Sequence, residues 1–136
     1  MTYLVDANVL SEPTKPAPDR AVVAWLREHE PALVVDPFVL AELRSGILLL
    51  PRGRKRAALE AWFDRGVARL RCVDWDAATG LTWAALLARL RAAGRAMPIK
   101  DSLIAATALA QGLTVATRNR ADFARAGVPV IDPFAG

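Results

Sequence analysis

LVVDPFVLAELRSGILLL, Leu33 to Leu50, passes from three β-prone residues straight into a helix, with no turn that would reverse the chain. Leu33-Val34-Val35 reads as a short buried strand, because successive apolar side chains point to both faces of a sheet. Asp36-Pro37 is a helix start: the carboxylate caps free N–H groups and proline suits the first helical position. The helix then runs from Phe38 toward Pro51. A strand that feeds directly into a helix is half of a βαβ unit, and the following strand of the sheet then lies parallel to the first.

The same grammar extends to both ends of the chain. YLVDANVLSE (Tyr3–Glu12) is a short strand and a brief helical segment that Pro13 interrupts. KPAPDR is a loop whose Asp19 caps a helix carrying Val22, Val23 and Leu26 on one side. RGRKRAALEAWFDRGVARL makes another helix, basic at its start, with Leu59, Trp62, Phe63 and Val67 on an apolar face. RCV is a short strand, and a long helix follows from Asp76 to Ala93 with Gly94 as its stop. MPIKDSLIAATALAQG is a loop and a helix ending at Gly112; Leu113–Thr117 is a strand, NRADFARAG a short helix and Val128–Ile131 a last strand. Strands alternating with helices predict an α/β protein, a central, mainly parallel sheet flanked by helices, built as one domain over residues 1–136.

Composition bounds the function. With 136 residues, 54% hydrophobic and 24% charged, the chain buries a real core without staples. No apolar run is long enough to span a bilayer, and the first residues lack the marks of a signal peptide, so a cytoplasmic protein is expected. Cys72 is the only cysteine, which rules out an internal disulfide and a cysteine zinc site. The net charge of +4, carried mostly by arginine, suits an anionic partner such as nucleic acid but does not by itself assign one. His29 is the only histidine and reads as a solvated helix-end residue, so histidine-pair nucleases and Ser-His-Asp hydrolases are poor fits. No phosphate-cradling glycine loop follows the first strand. Carboxylates remain as the chemistry.

Four of them stand out, each with an ordinary explanation. Asp6 ends a strand, where open parallel sheets bind ligands, yet it is also a helix cap. Glu42 sits mid-helix among apolar neighbours and needs a partner: a function, or an ion pair with Arg44 or another arginine. Asp101 enters the helix SLIAATALA, where the helix dipole welcomes an acid; the adjacent Lys100 pairs with it or faces solvent. Asp122 follows another strand, and Asn119 three residues earlier is the better cap for the last helix. If Leu113–Thr117 lies beside the first strand, these acids emerge at one sheet edge. Their mutual repulsion then calls for a cation, and Mg²⁺ or Mn²⁺ suits a set of carboxylate oxygens.

The motifs YLVDANVLSE, VLAELRSGI, PIKDSLIAATALAQGLTVATRNRADF and GVPVIDPF, in that order, resemble the PIN domains, in particular the VapC-type toxins of bacterial toxin–antitoxin pairs. The resemblance runs from end to end and is weakest between about Pro51 and Arg95. It implies a PIN-like three-layer α/β/α fold and a Mg²⁺- or Mn²⁺-dependent endoribonuclease. Asp6, Glu42 and Asp101 fall on the family's acidic triad, with Asp122 or Asn119 at a fourth position and Thr117 lining the pocket. Asp6 and Asp101 would hold the metal, and Arg-rich segments such as RGRKR would grip RNA. The resemblance also implies a homodimer and a VapB-type antitoxin, in a heterotetramer or larger complex that meets operator DNA only through the antitoxin. The apolar faces of Val22, Trp25 and Leu26, or of Leu59, Trp62 and Phe63, would then either meet those partners or pack in the core. The alternative is a PIN-like module without catalysis that dimerises and binds a DNA-binding antitoxin.

Overall fold

The computed structural model describes residues 1–135; Gly136, the last residue of the expected domain, lies outside the described residues. The described residues hold five strands and seven α-helices: β1 (Tyr3–Val5), α1 (Ala7–Leu10), α2 (Arg20–Glu28), β2 (Leu33–Val35), α3 (Pro37–Leu48), α4 (Arg54–Arg65), β3 (Arg71–Cys72), α5 (Ala77–Ala92), α6 (Ile99–Gln111), β4 (Thr114–Ala116), α7 (Arg120–Arg125) and β5 (Val130–Ile131). The strands form one wholly parallel sheet in the order β3-β2-β1-β4-β5. All three residues of β2 are buried, and Leu4, Val5, Val115 and Ala116 of β1 and β4 are also sealed from water. Neighbouring side chains on a strand point to opposite faces, so helices cover both sides of the sheet, the three-layer α/β/α arrangement.

Leu113–Thr117 does lie beside the first strand: Tyr3 pairs with Thr114, Leu4 with Val115 and Val5 with Ala116. The chain builds outward from β1 to β2 and β3, then returns to β1's other flank with β4. That reversal makes the boundary between β1 and β4 the topological switch point, where the loops at the carboxyl ends diverge and leave a crevice. Asp6 follows β1 there and Thr117 follows β4, linked through the Asp6 N–H to the Ala116 carbonyl at 2.9 Å.

Helix α6 can approach the sheet closely because its buried face is made of small residues, Ser102, Ala105, Ala106, Thr107 and Ala108 beside Ile104. It packs along α5, where the Trp83 indole N–H donates to the Ser102 hydroxyl at 3.0 Å. Gly112 ends it in the left-handed conformation (φ 66°), which glycine adopts without a Cβ penalty. The helix expected over Arg52–Leu70 stops at Arg65, and Val67–Arg69 forms one turn of 3₁₀ helix.

Both apolar faces named in the sequence fold inward. Val22 and Phe63 are buried, and Trp25, Leu26, Leu59 and Trp62 pack against the same core. His29 is a correction to the solvated reading: its ring stacks on Trp25 (centroids 4.6 Å apart) and meets Tyr3 edge-on, at the opposite end of β1 from Asp6. Its Nδ1 lies 2.8 Å from the Trp25 carbonyl oxygen, so the ring is fixed by packing and plays no part at the switch point. Among the described residues no helix is long and apolar enough to cross a membrane.

Candidate functional site

Asp6 is both a cap and more than a cap. It has extended backbone ahead of α1, and its Oδ1 accepts from the Ala7 N–H at 2.8 Å. The other oxygen, Oδ2, accepts from the Thr117 hydroxyl at 2.8 Å and from the Asn8 amide at 3.3 Å. Thr117 in turn accepts from the Asn119 N–H at 3.0 Å, and Asn8 Oδ1 accepts from the Arg118 N–H at 3.1 Å. The carboxylate is thus clamped between the ends of β1 and β4, and Thr117 is fully buried. Burial above all holds the Asp6 carboxyl above its ordinary pKa; the Thr117 and Ala7 donors pull it down, and the nearby Glu42 carboxylate pushes it further up.

Asp101 lies in the first turn of α6 and is 5% exposed. Burial first, and the charge of Asp6 second, raise its pKa, so the two carboxylates act on one another. Asn119 does not cap α7 through its side chain, contrary to the reading of its sequence position. Its amide instead donates to Asp101 Oδ2 at 2.8 Å and to Asp122 Oδ2 at 2.7 Å, bridging the two acids. The NH₂ group has two hydrogens, so one amide satisfies both. Asp122 is held from its other side by Arg125 at 3.2 Å.

Glu42 projects from α3 and pairs with neither Arg44 nor any other arginine. Arg44 bonds Asp64 at 3.0 Å and lies over the Phe63 ring. The partner of Glu42 is Lys100, whose ammonium donates to Glu42 Oε1. Burial works against the lysine's charge, but Glu42, Asp6 and Asp101 together keep its pKa above the ordinary value. The Glu42 side chain is only partly buried, but its second oxygen, Oε2, is sealed from water and has no hydrogen-bond partner among the described residues. A sealed oxygen without a partner costs free energy unless something else fills it.

Asp36, read as a cap, does cap α3 through the Val39 N–H at 2.9 Å. It is also fully buried and accepts from the Thr107 hydroxyl at 3.0 Å, tying the start of α3 to the body of α6. Burial raises its pKa, with a contribution from the charge of Asp6. The exposed cap Asp76 shows the opposite: donors from Thr79 hold it below the ordinary value. The strand-end position of Asp36, on the neighbour of β1, is the signal that it faces the same edge as Asp6. Glu12, from the opening motif, turns away and accepts from the Asp19 N–H at 3.0 Å to brace the loop before α2.

The donor set fits a hard divalent cation: carboxylate oxygens only, with one of them left without a partner among the described residues. Among the described residues no three such side chains are drawn in tightly enough to hold an ion as they stand. Lys100 bonds Glu42, and Asn119 bonds Asp101 and Asp122. Arg118 is exposed and lies over the Phe134 ring at 4.5 Å; Lys15, paired with Glu12 at 2.9 Å, lines a cleft with Lys55, Thr14 and Pro16. Arg56, by contrast, is engaged by Glu60 at 2.7 Å, so RGRKR offers Arg52, Arg54 and Lys55 as its free cations among the described residues.

Comparison with known proteins follows the fold and the motifs. The PIN domain model matches residues 3–129. The chain is 34% identical over 135 residues to the VapC ribonuclease Y4jK of Sinorhizobium fredii, covering 96% of each. It is 34% identical over 138 residues to the toxin FitB of Neisseria gonorrhoeae, covering 96% of this chain and 97% of that one. Among solved structures, FitAB bound to an IR36 DNA fragment superposes with a TM-score of 0.92 at 32% identity, covering 98% of this chain and 96% of that one.

Proposed function

The chain belongs to the PIN-domain family, and on that premise we propose that it is a metal-dependent endoribonuclease, the toxin of a toxin–antitoxin pair, with residues 1–136 forming one such domain. The observation that carries the reading is the crevice between β1 and β4, where Asp6 and Asp101 are buried within reach of each other's charge and Glu42 offers a buried, unpartnered oxygen. The ribonuclease and toxin names of the two relatives support the reaction class, and the FitAB complex on DNA supports a cognate VapB-type antitoxin through which the pair meets operator DNA.

Asp6 and Asp101 would hold the Mg²⁺ or Mn²⁺ ion, with Glu42 and Asp122 completing the acidic set. When bound, such an ion supplies a Lewis acid for a phosphodiester oxygen and lowers the pKa of water. The protein's part is to aim the acids. Thr117 and the Ala7 N–H fix both oxygens of Asp6. Asn119 orients Asp101 and Asp122 as a pair. Glu42, whose Oε2 is left without a partner among the described residues, would orient the attacking water or complete the coordination shell. Arg118 and the free cations of RGRKR would hold the RNA backbone, with affinity that falls as salt rises.

A module without catalysis would leave the burial of Asp6 and Asp101 as a cost with no return. The test is cleavage of total cellular RNA by purified protein in Mg²⁺ or Mn²⁺. Discrete fragments that vanish with EDTA and in Asp6→Asn support the enzyme. Fragments that persist in Asp6→Asn, or no cleavage by antitoxin-free protein, overturn it.

A further inference from the structure

The acids of the crevice fall into two groups, each held by a different internal donor. Asn119 bridges Asp101 and Asp122 with a neutral amide. Lys100 holds Glu42 with a full positive charge, close enough to Asp6 and Asp101 for those carboxylates to act on it as well. Resting on the metal-site reading above, we infer that Lys100 is the counter-cation of these acids, and that its charge competes with a divalent ion for the crevice.

Three features separate this role from an ordinary ion pair. First, the pair leaves its carboxylate half satisfied: Lys100 takes Oε1, while Oε2 stays buried without a partner. Second, the lysine can leave. Its side chain is 46% exposed, on a flexible four-carbon stem whose base is fixed in the first turn of α6. The ammonium has water within reach, so release does not strand a buried charge. Third, Lys100 precedes Asp101, so the helix turn that presents a metal-holding acid also presents the cation that stands in for the metal. The same charge that steadies the acids in the absence of an ion opposes the ion's arrival, and Lys100 therefore sets how much divalent metal the protein needs.

The test is Mn²⁺ titration by calorimetry at fixed ionic strength, on wild type, Lys100→Met and Lys100→Arg, with thermal melting of each in EDTA. Methionine keeps much of the stem and removes the charge; arginine keeps the charge. Lys100→Met is expected to bind Mn²⁺ about tenfold tighter, the change that ~1.4 kcal/mol of relieved repulsion produces. In EDTA it is expected to melt below wild type. Lys100→Arg should bind within about threefold of wild type, since its charge is retained. If Lys100→Met fails to fold, Lys100→Gln carries the same expectation. Unchanged or weaker Mn²⁺ binding by the uncharged variants, with wild type binding normally, overturns the inference alone. No Mn²⁺ binding by either wild type or the uncharged variants overturns the metal site itself, and the inference with it.

Discussion

Thr117→Val isolates the contribution of one hydroxyl to the crevice. Valine matches threonine in shape, so the substitution opens no cavity at this fully buried position. It removes the 2.8 Å donation to Asp6 and the acceptor of the Asn119 N–H at 3.0 Å. A hydrogen bond to a charged group contributes ~1.5–3 kcal/mol, and an orphaned N–H adds its own desolvation cost, so the loss should be about 3 kcal/mol. With an unfolding entropy of ~2.1 cal/mol/K per residue, that lowers the melting temperature by about 10 °C. The deficit also has a pH signature. Thr117 favours the ionised form of Asp6, so its loss raises the folded pKa of Asp6 further. The deficit is then complete above that pKa and shrinks as the pH falls through it, because a protonated Asp6 no longer needs the donor. Thermal melts in EDTA, at neutral pH and in the carboxylate range, measure both effects. A neutral-pH drop of less than ~3 °C, or one that widens on acidification, would refute the reasoning.

Two further outcomes follow from the same geometry. Asp6, Asp36 and Asp101 all have folded pKa values raised above the ordinary 3.8, chiefly by burial, so the folded state binds protons more tightly than the unfolded one. In EDTA, stability should therefore rise as the pH falls from neutral into the window just above 3.8. Glu12 and Asp76, whose values are lowered, oppose this once the pH falls below their ordinary 4.5 and 3.8, and their contribution is lost as the pH falls through their folded values. Melts between about pH 4 and 7 check the sign, and a midpoint that only declines from neutrality downward would contradict it. Gly112→Ala should cost about 1 kcal/mol in a urea titration, because alanine is strained in a left-handed helix cap; a neutral effect would mean the cap relaxes.

Much of the fold could be read from local signals. Leu33-Val34-Val35 followed by Asp36-Pro37 gave a strand and a capped helix, and Ala77–Ala92 with Asp76 ahead of it behaves as its pattern predicts. Pairing β4 with β1 was less direct: nothing local to Leu113–Thr117 names its neighbour, and only the need to gather the acids suggested it. Glu42 was conspicuous because a carboxylate among Val39, Leu40 and Leu43 needs a partner. That the partner is Lys100, 58 residues away, was invisible, since side-chain pairing across the fold leaves no trace in spacing. Asn119 sat where a helix cap belongs, and the pattern could not show that two acids would compete for its amide and win. His29 looked solvated among REHEP because Tyr3, which packs on it, comes from the start of the chain.

The central claim is that Asp6 and Asp101 hold one ion between them. It is tested most directly by Mn²⁺ binding, followed by electron paramagnetic resonance, to wild type, Asp6→Asn, Asp101→Asn and the double variant. If both carboxylates serve the same ion, each single variant should bind far more weakly than wild type, and the double variant scarcely more weakly than either, because residues sharing a partner are not additive. Near-wild-type binding in either single variant, or losses that simply add, would contradict a shared site.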